Sequence, residues 1–351
     1  MSPAKPAKAK PATNGDRRPV NLALQGGGSH GAFTWGVLDA LLADGRLDIR
    51  AITGTSAGAM NAVVCAEGYL EAGAAGARKQ LAQFWAEISR EGVFSPIRRS
   101  PLEQLMGGWS LQDSPGRAMW EMWSTVLTPY DTNPLGINPL RDFLDGIIDF
   151  KRVRREAGIR LFIAATNVRS GRIRVFGNHE LTAEAIMASA CLPQLFQAVE
   201  VDGEAYWDGG YLGNPALFPL FYEDTPDDII LVQINPDMSE DLPRTAGAIA
   251  DRLNEITFNA TLLAELRAIA FVQKQLGLGN LPSEGYRAVR MHRIALEDAG
   301  LKLDASSKLN TEAPFLEMLR DQGRAAGKAF LDQHFAAIGK HGTLDFKALG
   351  L

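Results

Sequence analysis

Two stretches near the amino end decide the fold: VNLALQGGGSHG over residues 20–31 and IRAITGTSAG over residues 49–58. In each stretch a short apolar run leads into a glycine-rich turn, and a helical pattern follows the turn. A strand–helix–strand unit of this length is right-handed and has parallel neighbouring strands. Both turns are therefore predicted to lie at the carboxyl edge of one sheet, where open α/β sheets bind their ligands.

The second turn, Gly54-Thr55-Ser56-Ala57-Gly58, fits the G-x-S-x-G pattern of a nucleophile elbow. In that motif a sharp strand-to-helix bend exposes the serine hydroxyl, and the two glycines allow the chain to pack closely around it. A serine that only caps the following helix is the alternative interpretation. The apolar strand before the turn and the small-residue helix after it favour Ser56 as a nucleophile.

The first turn admits three interpretations. Residues 26–31 match the dinucleotide pattern G-x-G-x-x-G, but the second strand ends at 53–56 without the acidic residue that would hold a ribose. A P-loop needs Lys and Ser or Thr after the last glycine, where Ala32 and Phe33 stand. In the third interpretation the bare amides of Gly26, Gly27 and Gly28 form an oxyanion hole. It also accounts for a nucleophile at Ser56.

A serine nucleophile needs a base, and no histidine stands in a local catalytic motif. The histidines are His30, His179, His292, His334 and His341. A conventional Ser–His–Asp arrangement using His292, His334 or His341 remains an alternative. Asp208 is the better candidate, since it follows two aromatic residues and precedes Gly209 and Gly210, which predict a tight, close-packed turn.

Taken in order, these motifs resemble the patatin-like phospholipase family. The resemblance rests on GGGSHG at 26–31, GTSAG at 54–58, ASACLP at 188–193 with Phe196, and DGG at 208–210, and it covers about residues 19–215. It implies a three-layer α/β/α fold with a central, mostly parallel sheet. It also implies a Ser–Asp dyad without histidine.

In that dyad Ser56 is the nucleophile and Asp208 the general base. The amides of Gly27 and Gly28 form the oxyanion hole, and Gly26 shapes the turn. The implied activity is that of a serine lipid acyl hydrolase of the phospholipase A, lysophospholipase or carboxylesterase type, acting through an acyl-serine. No metal or organic cofactor is implied.

The substrate stays open among phospholipids, lysophospholipids, acylglycerols, simple esters and intracellular polyesters. An intracellular polyester depolymerase is therefore an alternative, and a non-catalytic lipid-binding protein is an alternative of another class.

Two positions depart from the family pattern. The family usually carries a basic residue before the last glycine of the first loop, where this chain has His30. A histidine there predicts a loop charge that changes with pH near neutrality. Gln25 stands where plant members commonly have an acidic residue. Neither change touches the reacting atoms.

Bulk composition is that of an ordinary globular protein of 351 residues with a formal net charge of −5. This charge gives no indication of nucleic-acid binding. Cys65 and Cys191 stand in no metal or redox spacing and are predicted to be reduced core thiols of a cytoplasmic protein. No run approaches the roughly 18 apolar residues of a membrane span, so any membrane contact is expected to be peripheral.

The chain is predicted to divide into a disordered basic tail (1–18), a catalytic core (19–220) and an α/β extension packed on the same domain (221–351). Within the core, about residues 73–149 are predicted to form a helical, cap-like insertion. It carries four of the six tryptophans: Trp85, Trp109, Trp120 and Trp123. We expect either a plain hydrophobic subcore or a groove for acyl chains. The tail has no secretory pattern; it is expected either to attract anionic membranes weakly or to act only as a solubilising leader.

The remaining pattern predicts alternating strands and helices. Predicted strands cover 20–25, 49–53, 159–168, 173–176, 205–207, 228–235 and 286–294, and predicted helices cover 29–43, 57–70, 183–190, 245–276 and 311–337.

Overall fold

The computed structural model describes residues 17–92, 99, 103–104, 108–111, 114, 116, 127–155, 158–238, 242–282, 284–301 and 303–351. Most of the predicted basic tail lies outside the described residues. So do Trp120 and Trp123 of the predicted acyl groove.

The described strands form one mixed sheet in the order β5-β6-β3-β2-β1-β7-β8, with β4 also paired to β3. They are β1 (Arg18–Leu24), β2 (Leu47–Gly54), β3 (Arg160–Asn167), β4 (Ile173–Gly177), β5 (Val199–Val201), β6 (Glu204–Asp208), β7 (Asp228–Gln233) and β8 (Arg290–Ala295). Strands β3, β2, β1, β7 and β8 run parallel, and β4, β5 and β6 form the antiparallel part.

Helices cover both faces of this sheet. They are α1 (Gly31–Asp44), α2 (Ala57–Gly92), α3 (Pro129–Thr132), α4 (Pro139–Ile147), α5 (Phe150–Arg155), α6 (Ala183–Ser189), α7 (Pro219–Tyr222), α8 (Ala246–Gly277) and α9 (Ala313–His334). Short 3-10 turns include Gly28–His30, Gly209–Tyr211 and Ala305–Leu309.

Strand β1 shows why there are three layers. Leu22 and Leu24 point into the larger core with α1, α2 and α9, whereas Ala23 points into the second core with Leu262 and Leu266 of α8. Alternate side chains of a strand lie on opposite faces, so a strand that is apolar throughout needs a cover on both sides. The predicted α/β/α fold class is confirmed.

Helix α2 differs from the prediction. It was expected to end near residue 70, but helical structure continues to Gly92, interrupted by non-helical backbone at Ala72 and Gly73. Gly73 has a positive φ of 61°, which lets the chain change direction and resume a helix. The interruption lies at the predicted start of the insertion, about residue 73.

Two described tryptophans of the insertion pack against other aromatic rings. Trp85 is buried and stacks on Trp35 of α1, with ring centroids 6.4 Å apart. Trp109 packs on Phe315 of α9 at 5.2 Å. These contacts fit the hydrophobic-subcore interpretation for Trp85.

The chain after residue 221 continues the same sheet. β7 pairs with β1 over Asn21–Leu24 and with β8 on its other side. Strand β8 begins at Arg290, later than the predicted 286, because its pairing with β7 starts where Asp228 meets Arg290.

Candidate active site

Ser56 lies in the turn between β2 and α2, at the carboxyl edge of the sheet. Its φ is +54°, a conformation that residues other than glycine rarely adopt. A Cβ at Gly54 would lie 2.7 Å from the carbonyl oxygen of Gly58, and a Cβ at Gly58 would overlap the carbonyl oxygen of Leu24. Both glycines are therefore required by close backbone contacts, as a nucleophile elbow requires.

The backbone of Ser56 is fixed by a residue from another helix. Its N–H donates to Ser189 Oγ at 3.0 Å. Ser189 ends α6 and belongs to the ASACLP segment of the sequence. Apart from its membership of that segment, no sequence signal indicates this role for Ser189.

Sheet register brings Asp208 next to this turn. β2 pairs with β3 over Arg160–Ile163, and β6 pairs with β3 over Ala165–Asn167, while β4 occupies the other edge of β3. β6 therefore pairs with the same edge of β3 as β2, beyond the point at which the pairing with β2 ends. Asp208, opposite Ala165, lies beside the turn that follows β2. A Cβ at Gly209 would overlap the carbonyl oxygen of Ala164 and lie 3.0 Å from Thr55 Cγ2, so the DGG turn packs directly on the elbow.

Asp208 is fully buried, and its carboxylate accepts one well-formed hydrogen bond among the described residues. The amide of Gly210 donates to its Oδ1 at 2.7 Å. Its Oδ2 is buried without a well-formed hydrogen bond, although the Ser56 hydroxyl lies close enough to the carboxylate to favour its charged form. Burial is the largest effect and raises the pKa of Asp208 to about 7.

The glycine loop packs against Ser56. A Cβ at Gly26 would lie 2.7 Å from Ser56 Cβ and 2.6 Å from the carbonyl oxygen of Thr55. The amide of Gly26 donates to Asn214 Oδ1 at 2.7 Å, so it is not free to bind an oxyanion. Among the described contacts, the amides of Gly27 and Gly28 have no acceptor. The geometry leaves these two donors available, with Gly26 in the turn-shaping position.

The prediction that the charge of His30 changes with pH near neutrality is wrong. His30 is buried, and its Nε2 lies 2.8 Å from Ser307 Oγ. Burial, reinforced by the nearby positive charge of Lys308, lowers the pKa of His30 to about 3. The imidazole is therefore neutral at physiological pH. Lys308, the source of that positive charge, packs its carbonyl oxygen against Gly28.

The alternative histidines lie on or near β8, the strand at the end of the sheet beyond β1 and β7. His292 Nε2 contacts Asp228 Oδ1 at 3.0 Å, at the amino end of β7. By strand register His292 is four residues along the sheet and three strands across from Ser56, about 20 Å away. His334 packs on Phe330, which contacts His292, and His341 lies close by in sequence to Thr343, the partner of His292 Nδ1. A Ser–His–Asp triad with Ser56 is therefore not supported.

Sequence reasoning missed a set of amide side chains around the glycine loop. Gln25 Oε1 accepts from the amides of Ile234 and Asn235, each at 2.8 Å. Asn235 Nδ2 donates to the Gly26 carbonyl oxygen at 2.7 Å, and Asn214 contacts both polar atoms of Gly26. Lone asparagines after a strand or before a proline give no distinct sequence signal.

The described residues show neither a metal-binding cluster nor a membrane-spanning helix. They contain no group of three or more His, Cys, Asp or Glu side chains that could hold a metal ion. They also contain no helix that is long and apolar enough to cross a membrane.

The chain has weak similarity to some solved structures. Among solved structures it is similar to VipD from Legionella pneumophila, with 16% identity, a TM-score of 0.43, and coverage of 95% of this chain and 72% of that one. It is also similar to ExoU in its complex with SpcU from Pseudomonas aeruginosa, with 18% identity, a TM-score of 0.30, and coverage of 95% and 74%. A search of curated protein sequences finds no significant match.

The family comparison covers more than half of the chain. A sequence profile of the patatin-like phospholipase family matches residues 22–221, which include the glycine loop, Ser56 and Asp208. The chain therefore belongs to the patatin-like phospholipase family, a family of lipid hydrolases.

Proposed function

We propose that the protein is a serine lipid acyl hydrolase that cleaves carboxylic esters with a Ser56–Asp208 dyad. The observation that carries this proposal is the juxtaposition of Ser56, half-buried on a strained turn, with a buried carboxylate whose pKa is raised to about 7. A carboxylate with a pKa near the working pH is a far better base than an ordinary aspartate.

In the first half-reaction Asp208 accepts the hydroxyl proton of Ser56 while Oγ attacks the acyl carbonyl carbon. The amides of Gly27 and Gly28 donate to the oxygen on which negative charge develops. Ser56 precedes α2, so the positive end of the helix dipole also faces that charge. When the tetrahedral intermediate collapses, the alcohol leaves with the proton from Asp208, and the acyl group stays on Ser56.

In the second half-reaction water attacks the acyl carbonyl and transfers a proton to Asp208. Collapse breaks the bond to Ser56 Oγ, which regains the proton, and the free carboxylic acid leaves. Burial of Asp208 favours this chemistry, because hydrogen bonds and charges act more strongly where water is excluded.

A long-chain fluorophosphonate tests the proposal directly. The reagent bonds covalently to an activated serine, and intact mass counts the adducts. We expect one adduct in the wild type, none in Ser56→Ala, and a labelling rate at least about 100-fold lower in Asp208→Asn. A variant lacking His292, His334 and His341 is the control and should label like the wild type.

Other outcomes contradict the proposal in distinct ways. Labelling that needs one of those histidines would assign the protein to the Ser–His–Asp class. A folded wild type that binds liposomes but is neither labelled nor active on esters would indicate a lipid-binding protein instead.

A further inference from the structure

The peptide group between Gly26 and Gly27 is held by side chains on two separate segments. Asn235 Nδ2 donates to the Gly26 carbonyl oxygen at 2.7 Å, and Asn214 Nδ2 donates to the same oxygen at 3.3 Å. Asn214 Oδ1 accepts from the Gly26 amide at 2.7 Å. Both asparagines are buried, so these hydrogen bonds do not compete with bulk water.

Peptide geometry links this carbonyl to the proposed oxyanion hole. A trans peptide is planar, and its N–H points opposite to its C=O. Fixing the direction of the Gly26 carbonyl therefore also fixes the direction of the Gly27 amide. Because Gly26 packs on Ser56, the Gly27 peptide lies beside the nucleophile.

The loop needs such an external constraint. Three consecutive glycines carry no side chains that could lock the backbone, and Gly28 adopts a positive φ of 57°. A peptide between two glycines can rotate at low cost unless its polar atoms are bonded. An oxyanion hole, in contrast, works because its donors are oriented before the reaction begins.

Asn235 is itself held in place. The amides of Ile234 and Asn235 both donate to Gln25 Oε1 at 2.8 Å, and Gln25 Nε2 donates to Asn259 Oδ1 at 2.8 Å. Gln25, which directly precedes the glycine loop, thus ties the loop to the segment that follows β7 and to Asn259 of α8. Asn235 and Asn259 both lie beyond residues 22–221, the range that matches the family profile.

We propose that Asn235 and Asn214 are positioning residues that orient the Gly27 amide toward the oxyanion formed over Ser56. Asn235 makes the shorter bond to the Gly26 carbonyl, and Asn214 holds the Gly26 amide on the other side. The inference rests on the proposed function. It adds that the site is completed by a residue from the carboxyl-terminal part of the chain.

The test compares Asn235→Ala with Asn21→Ala. Asn21 is a matched control: it is buried on β1, and its Nδ2 donates to the carbonyl oxygen of Pro226 at 2.6 Å, at the opposite end of the strand. For each variant kcat and KM are measured on a soluble p-nitrophenyl acyl ester, together with the fluorophosphonate labelling rate and Tm. The phosphonyl oxygen occupies the same position as the oxyanion, so a weakened oxyanion hole slows labelling as it slows kcat.

We expect Asn235→Ala to lower kcat about 10- to 100-fold with KM changed less than about threefold, and to slow labelling in parallel. Asn21→Ala should lower Tm while leaving kcat and labelling at the wild-type level. Asn235→Asp, which has the same shape but places an oxygen opposite the Gly26 carbonyl, should reproduce the loss if the alanine variant does not fold.

Equal kcat in folded Asn235 and Asn21 variants would overturn the positioning role. A loss that appears only in KM, or that follows Tm in both variants alike, would overturn it as well. An unlabelled wild type would instead mean that the proposed function itself is wrong, and the two failures are distinguishable.

Discussion

Asp208 combines a buried position with a chemical task that requires a negative charge. One backbone donor, Gly210, and the nearby Ser56 hydroxyl offset only part of the desolvation, which leaves the pKa of Asp208 at about 7. A more fully hydrogen-bonded carboxylate would be a weaker base. The sparse solvation of this side chain is therefore what makes it useful at neutral pH.

The pH dependence of the enzyme follows from this residue. A general base acts only when deprotonated, so kcat/KM should rise with pH and level off above about 7, falling about tenfold per unit well below it. The measurement is a pH profile of kcat/KM on a soluble ester between pH 5 and 9, expected to show one ionisation.

Glu265 offers a control for that profile. It accepts from the Leu217 amide at 2.8 Å, and burial raises the pKa of Glu265 to about 7 as well. The pH profile of Glu265→Gln should still show the ionisation near pH 7. If the ionisation were absent from that profile, Asp208 would not be the base.

An independent readout of Asp208 is stability. Since its folded pKa exceeds that of an unfolded aspartate, its contribution is complete below about pH 4 and is lost as pH rises through about 7. Asp208→Asn should therefore raise the free energy of unfolding at pH 8, by at most about 4 kcal/mol.

At the scale of elements, the contact between α1 and α9 depends on glycines that let two helix backbones touch. A Cβ at Gly36 would overlap the carbonyl oxygen of Arg320, and a Cβ at Gly323 would overlap that of Phe33. α1 follows the glycine loop directly, so α9 supports the helix that carries the loop. The carboxyl-terminal helix thus supports the site through close helix packing and through the Arg324–Asp39 ion pair at 2.7 Å.

Gly323→Ala is expected to destabilise the protein by about 2 kcal/mol or more, because the new methyl group meets backbone that cannot move aside locally. Chemical denaturation of both proteins gives the difference in free energy of unfolding. The matched control is Gly146→Ala in α4, where an added Cβ meets nothing within 4 Å. There the change should be neutral or stabilising by up to about 1 kcal/mol. Equal effects at both sites would show that the helices do not pack this closely.

At the scale of the whole molecule, the part of the chain that matches the family profile is not a complete structural unit. β7 lies inside the sheet between β1 and β8. Strands β7 and β8 both follow residue 221, where the match to the family profile ends. Without β7 the Asn21–Leu24 segment of β1 would become an open edge. We propose that the core (19–220) and the extension (221–351) form one domain.

A chain ending at residue 221 is therefore expected not to fold, and the full chain should unfold in one cooperative transition. Circular dichroism of the truncated chain and denaturant unfolding of the full chain are the measurements. A chain beginning at Arg17 keeps every described contact and serves as the control. A soluble, folded 1–221 fragment would separate the extension from the core.

Much of the fold could be predicted because the signals for its strands, turns and connections lie in short stretches of sequence. Apolar runs followed by glycine turns identify β1, β2 and the right-handed connection between them. The β5–β6 hairpin was missed in part, although Asp202-Gly203 at its turn, both with positive φ, is a strong hairpin indicator. The interruption at Ala72 and Gly73 could not be predicted, because nothing local distinguishes a helix that ends from one that bends and continues.

The sequence by itself determined the fold class, the family, and the candidates Ser56, Asp208 and the glycine loop, because each depends on a short motif whose residues are neighbours in the chain. Only the tertiary structure decided that His30 is neutral, that His292 lies about 20 Å from Ser56, and that Asn214 and Asn235 hold the Gly26 peptide. Those facts depend on burial and on contacts between distant segments, since desolvation and hydrogen bonding are set by what the folded chain places around a group.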